Sequence, residues 1–503
     1  MKAMLAAGAV TLGATLLLDA ANSEAAPVTP QACAGRANNT AQKLLDCVTL
    51  DAVRAHQAAL QAIADANNGI RTSGTPGYDE SAEYVADKLR AAGYQVVIQE
   101  FEFQTFITLS PTVLEQIAPP PTGAIANNIF SYSGSGDVTA GVTSLPAPPA
   151  DTTPGCEAAD FAGFPAGNIA LISRGSCTFA IKATNAYAAG AVGVIIYNNQ
   201  AGDINGTLGN DFTLDIPVTS VTQAIGQQLA ATPGLVMRLK TDTFRGIATT
   251  SNVLAESRSG NPNNVVMVGA HLDSVNAGPG IQDNGSGSAA ILEVALQMAK
   301  VKPRNKVRFA WWGAEESGLV GSTYYVNNLT AAEQDKIALY LNFDMIGSPN
   351  HVFFIYDGDD SDGVGAGPGP AGSAQIEQVF ESFYDQRGLP YKGTDFDGRS
   401  DYRPFIDIGI PAGGLFTGAE GIKTAEEAEL WDGTAGEQYD PCYHLACDTF
   451  DNINLDALEA NSDAVAYATL QYAMSTASIN GAKGKGNFKS LSDLPFLGSQ
   501  LAR

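Results

Sequence analysis

From Val253 onward the chain alternates short apolar runs with amphipathic stretches, and that alternation restricts its fold more than any other feature. Val265-Val-Met-Val-Gly, Val307-Arg-Phe-Ala-Trp-Trp, Ile337-Ala-Leu-Tyr-Leu-Asn-Phe and Val352-Phe-Phe-Ile-Tyr read as buried strands. Between the first two, Ile291, Val294, Ala295 and Met298 fall on one face of a helix. Strands alternating with helices predict an α/β fold, here a mixed central sheet flanked by helices. In open sheets of that kind, chemistry gathers at the loops that leave the carboxyl ends of the strands.

Upstream, residues 48–103 read as helix, helix, strand. Tyr84, Val85, Leu89 and Ala92 lie at helical spacing, and Gln95-Val-Val-Ile-Gln-Glu-Phe is strand-like. The Pro/Gly/Ser-rich stretch from Ser110 to Pro154 reads as a crossing between domains. A separate block follows, with a strand at Asn168-Ile-Ala-Leu-Ile, an alanine-rich helix from Ala180 to Gly190 and a second strand at Gly193-Val-Ile-Ile-Tyr. The expected organisation is a leader (1–25), the first part of the main domain (26–125), an inserted β-rich domain (126–245), the rest of the main domain (246–478) and a Gly-rich, basic tail (479–503) expected to be poorly ordered.

The leader has the parts of a secretory signal: Lys2, an apolar stretch from Ala3 to Leu18, then small residues to Ser23-Glu24-Ala25. The stretch is short for a membrane span and rich in Ala and Gly, and no Cys follows it to carry a lipid. Cleavage after Ala25 and a free, secreted protein without a membrane anchor are expected. Cysteine usage agrees with export. Cys33 and Cys47, Cys156 and Cys177, and Cys442 and Cys447 form three sequence-local pairs, and neighbour pairing is the simplest of the possible sets. The net charge of -25, spread along the chain, excludes a nucleic-acid partner, which would require a basic surface.

Polar residues cluster at the strand ends. His271 follows its strand directly, with Asp273 just beyond. Asp283 sits in a Gly/Asn/Ser loop before a helix. Glu315 and Glu316 follow Trp311-Trp312, Asp344 ends a strand, and His444 lies in Cys442-Tyr-His-Leu-Ala-Cys447. Taken singly, a loop carboxylate is usually solvated surface and a lone His usually structural. Adjacent glutamates at the end of a buried aromatic strand, however, repel each other unless a cation compensates them. Two His and three carboxylates suffice for two metal ions if one carboxylate bridges.

These segments, Ala270-His-Leu-Asp-Ser, Asp283-Asn-Gly-Ser-Gly, Trp312-Gly-Ala-Glu-Glu-Ser-Gly-Leu-Val-Gly-Ser, Leu341-Asn-Phe-Asp-Met-Ile-Gly and Cys442-Tyr-His, resemble in that order the co-catalytic zinc aminopeptidases of clan MH. Within the clan the chain is similar to bacterial secreted leucyl aminopeptidases and to vacuolar aminopeptidase Y. The block with Cys156, Asp160-Phe161, Ile169-Ala-Leu-Ile-Ser-Arg-Gly175, Cys177 and Val194-Ile-Ile-Tyr-Asn-Asn199 resembles the protease-associated domain, which carries no catalytic groups.

The resemblance implies two zinc ions per subunit. His271 and Asp344 would hold one, Glu316 and His444 the other, with Asp283 bridging and Glu315 as general base. It also implies that the Asp273 carboxylate fixes the His271 tautomer, that Tyr443 stabilises an oxyanion, and that Arg399, Phe416 and Met345 meet the substrate. It further implies a cis peptide bond between Asp283 and Asn284. The expected substrates are peptides with a free N-terminus, hydrolysed one residue at a time, the residue removed being apolar such as Leu or else basic, and the expected state is a monomer. The rivals are a carboxypeptidase or dipeptidase on the same scaffold and a non-catalytic, receptor-like homologue. The first would need a basic cluster beyond Arg399 and Arg403, and the second is disfavoured by the complete ligand set.

Overall fold

The computed structural model describes residues 29–481, apart from 201, 203, 205 and 366. The leader expected over 1–25 and the tail beyond 481 lie outside them. After two short helical turns, Pro30–Gly35 and Ala41–Leu45, two long helices stand at the start of the main domain. α1 (Leu50–Ala66) begins at Thr49, whose hydroxyl accepts from the Ala52 amide. α2 (Pro76–Ala92) starts with Pro and stops at Gly93 in left-handed backbone, which glycine adopts freely. Each buries one face: Val53, Leu60 and Ala64 in α1, and Tyr78, Val85 and Leu89 in α2.

β1 (Gln95–Ala118) then runs for 24 residues, well past the segment marked as a strand by its sequence. After it come β2 (Gly136–Ser144), β3 (Ile169–Ser173), α3 (Phe179–Ala188), β4 (Gly193–Tyr197), β5 (Val218–Val221) and α4 (Gln223–Ala230). β6 (Val236–Glu256) returns along β1, pairing antiparallel from Ala118↔Val236 to Gln95↔Glu256. The stretch 110–154, expected to be a crossing, is therefore partly strand. Pro111 is tolerated because the register shifts on either side of it, so no ladder bond is asked of it. The boundary expected at 245 falls inside β6. In the inserted block β3, β4 and β5 are parallel, and their alternate side chains feed two cores. Ala170, Ile172, Val194 and Ile196 pack with Phe130 and Phe179, while Ile169, Leu171 and Ile195 pack with Met237 and Leu239.

The main domain resumes with β7 (Asn261–His271), α5 (Gly285–Met298), β8 (Asn305–Trp312), β9 (Ile337–Phe343), β10 (Phe354–Tyr356), α6 (Ser373–Arg387), β11 (Lys392–Thr394), β12 (Ala412–Phe416) and α7 (Leu455–Met474). Across the sheet the order is β11-β10-β12-β9-β7-β8-β6, with β1 beside β6. The four central strands β12, β9, β7 and β8 are parallel, and β6 and β10 run against them. The fold is a mixed α/β sheet. On one face Val266, Val268, Phe309, Trp311 and Leu341 pack against Ile291, Phe380 and Val465 of the helices. On the other, Trp312 and Tyr340 pack against Phe405 and Ile406. Because the central strands share a direction, the carboxyl ends of β7, β8 and β9 open on one edge.

α5 lies close against the end of β9. A Cβ on Gly287 would stand 2.2 Å from the Phe343 carbonyl oxygen and 2.6 Å from Asn284 Oδ1. Gly287→Ala should therefore push helix from strand and cost about 1–3 kcal/mol, read as a lower midpoint in chemical denaturation. A midpoint equal to that of the parent would show that α5 can retreat without loss.

Candidate metal centre

The register that pairs His271 with Trp312 starts the loops after β7 and β8 side by side. Glu315 and Glu316 lie in the second of these loops, and Asp344 directly follows β9. Asp283 precedes Asn284, the N-cap of α5, and the peptide between them is cis. His444 is carried by the loop closed by the Cys442–Cys447 disulfide; Cys33–Cys47 and Cys156–Cys177 are bonded as well.

These five segments converge. His271 Nε2 lies 3.1 Å from Asp283 Oδ1 and 3.2 Å from Asp344 Oδ1. His444 Nε2 lies 3.1 Å from Asp283 Oδ2 and 3.1 Å from Glu316 Oε2. Asp283 thus turns one oxygen to each imidazole. Two ligand atoms about 2 Å from one tetrahedral ion stand ~3.3 Å apart, so these spacings suit two ions that share Asp283. Ligand atoms of His271, Glu315 and Asp344 also fall within 4.8 Å of one another, which brings Glu315 to the same space. Both Glu315 oxygens are buried with no hydrogen-bond partner among the described residues.

The electrostatics carry the same mark. Burial would lower His271, but Asp344, Glu315, Asp273 and Asp283 reverse that and hold it well above the ordinary imidazole range. His444 is likewise lifted, to about 10, by Glu316 and Asp283 against the effect of burial. Burial drives Glu315 well above the carboxylate range, and the neighbouring Glu316, Asp401 and Asp344 add to this against the pull of His271. Asp283 is instead held below that range, because hydrogen bonds from both imidazoles outweigh its burial. The carboxylates around them thus favour the protonated forms of the two histidines.

Other side chains fix these positions, and the sequence reading missed most of them. Arg71, wholly buried between α1 and α2, donates to the carbonyls of Leu272, Pro279 (2.8 Å) and Gly280 (2.6 Å), clamping the loop from His271 to Asp283. Asp448 accepts from the amides of Gln282 (2.8 Å) and Asp283 (3.0 Å). Ser400 donates to Asp344 Oδ2 at 2.6 Å. Asn284 accepts from the amides of Gly287 and Met345 and donates to the Phe343 carbonyl. Asp273 lies against both His271 and the loop after β8. His271 Nδ1 is nearest its backbone carbonyl (3.1 Å), with the carboxylate 3.6 Å away. The carboxylate accepts from the amides of Glu315 and Glu316, at 3.2 and 3.3 Å. Ala314, Met345 and His444 all have left-handed backbone, at φ 55°, 51° and 58°, a conformation that non-glycine residues adopt at a cost.

A cavity of about 280 Å³ opens beside Glu315 and Asp344. Its apolar wall includes Met345, Phe354, Phe416 and Tyr439, and its polar wall includes Asp395, Asp397, Arg399, Glu420 and Tyr443. Arg399 donates to Glu420 at 2.7 Å and to the Tyr443 hydroxyl at 3.3 Å. The expected substrate-side residues Met345, Arg399, Phe416 and Tyr443 therefore share one cavity.

A metal ion held by His271 and His444 would have to displace any protons they carry. Zinc titrated calorimetrically near pH 7, in two buffers of different ionisation enthalpy, should show net proton release, and the affinity should tighten as pH rises from about 6 to 8. Binding without proton release would mean that the histidines are already neutral in the metal-free protein.

The profile of peptidase family M28 matches residues 252–469, and that of the PA domain matches residues 138–229. The chain is 50% identical over 494 residues to an aminopeptidase of Pseudomonas aeruginosa, covering 94% of this chain and 91% of that one. It is 44% identical to leucine aminopeptidase 2 of Arthroderma otae, over 80% of each chain. Among solved structures, a zinc aminopeptidase from Bacillus subtilis matches with a TM-score of 0.64 at 25% identity, over 90% of this chain and 99% of that one. With half its residues shared along nearly its whole length, the chain belongs to peptidase family M28 and carries a PA domain.

Proposed function

We propose that this M28 peptidase is a secreted zinc aminopeptidase that uses two zinc ions to remove single N-terminal residues, apolar ones such as Leu foremost, from peptides. The reading rests on one observation: each of two imidazoles sits between two carboxylate oxygens, with Asp283 common to both sets. His271 and Asp344 would hold one ion, Glu316 and His444 the other, and Asp283 both. Imidazole nitrogen and carboxylate oxygen are zinc ligands, so the donor set fits. Bound there, zinc would polarise the scissile carbonyl and make a water acidic enough to lose its proton near neutral pH.

Glu315 would take that proton, having no other hydrogen-bond partner among the described residues, and return it to the leaving amine. Tyr443, whose hydroxyl accepts from Arg399, would direct its own proton at the carbonyl oxygen as negative charge develops there. The apolar wall of Met345, Phe354, Phe416 and Tyr439 suits a leucine side chain. The surrounding carboxylates suit the free ammonium of an N-terminus. A carboxypeptidase would need unengaged cations at this place, but Arg399 is paired with Glu420 and Arg403 with Asp407, each at 2.7 Å. Export is supported by the leader-like N-terminus and by three formed disulfides. No helix among the described residues is long and apolar enough to cross a membrane.

Glu315→Gln should lower kcat on leucyl-nitroanilide about 10²–10⁴-fold with zinc content unchanged, whereas Glu316→Gln should lose metal. Most of the activity surviving in Glu315→Gln would place the base elsewhere. Faster turnover of lysyl- than leucyl-nitroanilide would overturn the apolar preference.

A further inference from the structure

A second cavity, about 590 Å³, meets the metal centre at His444, whereas the one that suits the N-terminal residue meets it at His271, Glu315 and Asp344. The main domain provides one wall, from Val275 to Ala277 and from His444 to Ala446. The β1–β6 ribbon provides another through Phe106, Thr108 and Thr112, and the segment entering the PA domain closes it with Asn127 and Asn128. A small recess that shares Phe106, Val275 and Asn276 with this cleft is lined by Glu316, and the cleft itself by His444. The walls are tied together, since Asn276 Nδ2 donates to the Phe106 carbonyl at 2.6 Å.

The chemistry of the lining narrows its occupant. In a chain with 53 acidic and 28 basic residues, none of the described residues lining this cleft is Asp, Glu, Lys or Arg. Asn, Thr and Ser side chains dominate the polar part, and these recognise amide groups rather than charges. The ribbon adds main-chain groups. Its register shifts between Thr108 and Ser110 and again between Ser110 and Val113, which leaves Thr112 outside the β1–β6 ladder on the cleft side. An extended peptide pairs with main-chain groups of this kind, as in strand addition. The cleft volume is that of a ligand site.

We infer that this cleft binds the part of the peptide that follows the scissile bond, in extended form and without demand for charged side chains, so that the PA domain and ribbon form a subsite for the leaving chain. The inference rests on the aminopeptidase reading. It implies that oligopeptides, rather than dipeptides or single-residue amides, are the substrates bound best.

A series from Leu-Ala to Leu-Ala-Ala-Ala-Ala, with leucyl-nitroanilide as reference, tests both levels separately. In the parent protein KM should fall by about tenfold from the dipeptide to the pentapeptide. Thr112→Trp and Ala277→Trp, neither of which lines the cavity beside Glu315, should erase that fall while kcat/KM on leucyl-nitroanilide stays within about twofold. No turnover of any leucyl substrate by the zinc-loaded parent would sink the aminopeptidase reading itself. Turnover of leucyl-nitroanilide with a KM indifferent to peptide length would overturn the subsite alone, and this result does not depend on how the variants fold. Pentapeptide hydrolysis by both variants at the parent's KM would overturn it too.

Discussion

Repulsion among Asp283, Glu315, Glu316 and Asp344, buried together where three parallel strands end, is the constraint that the rest of the site answers. One pair of unit charges about 4 Å apart is worth about 4 kcal/mol at an effective dielectric of 20. Several such pairs rival the whole stability of a domain, about 5–15 kcal/mol. The chain meets that load in layers. Two imidazoles stand among the carboxylates, and the amides of Gln282, Asp283, Glu315 and Glu316 hold two further acids, Asp448 and Asp273, whose charge adds to the load. Arg71 adds a cation buried near Asp273, Asp448 and Asp283, and burial lowers its own pKa to about 10. A divalent cation bound there would supply the remaining balance, which fits a site with so many acids and so few internal counter-charges.

The strand ends and the acids and histidines just beyond them were legible because short-range pattern encodes them. Val265 to His271 is apolar until its last residue, and Ile337 to Phe343 is buried throughout and followed at once by Asp344. What was not legible depends on contacts between residues far apart in the chain. Arg71 meets carbonyls some two hundred positions away, and a carbonyl has no signature in sequence. Asp448 looked like any loop acid after a cysteine, because its partners are backbone amides of Gln282 and Asp283. The left-handed backbone at Ala314, Met345 and His444 carries no glycine to announce it. That Asp273 also holds the amides of Glu315 and Glu316 was not legible, because backbone amides have no signature in sequence. The length of β1 was missed because Pro111 and the residues around it read as loop, whereas a bulge lets the ladder continue past them.

The long ribbon has a bearing on how such a chain can arise and change. β1 and β6 leave and re-enter the main sheet as hydrogen-bonded neighbours, with Gln95 opposite Glu256. The two points where the PA domain joins the main domain are therefore held together by the main sheet itself. An excursion of well over a hundred residues between them costs the main domain little loop-closure entropy, since that cost grows only slowly with length and the ends are already in place. Hairpin-mounted insertions of this kind can be lengthened, exchanged or trimmed at the far end of the ribbon without re-registering the strands that carry His271, Glu315 and Asp344. In lineage terms, the catalytic frame and its attachment can drift independently, joined by a stem whose pairing has only to be preserved at its base.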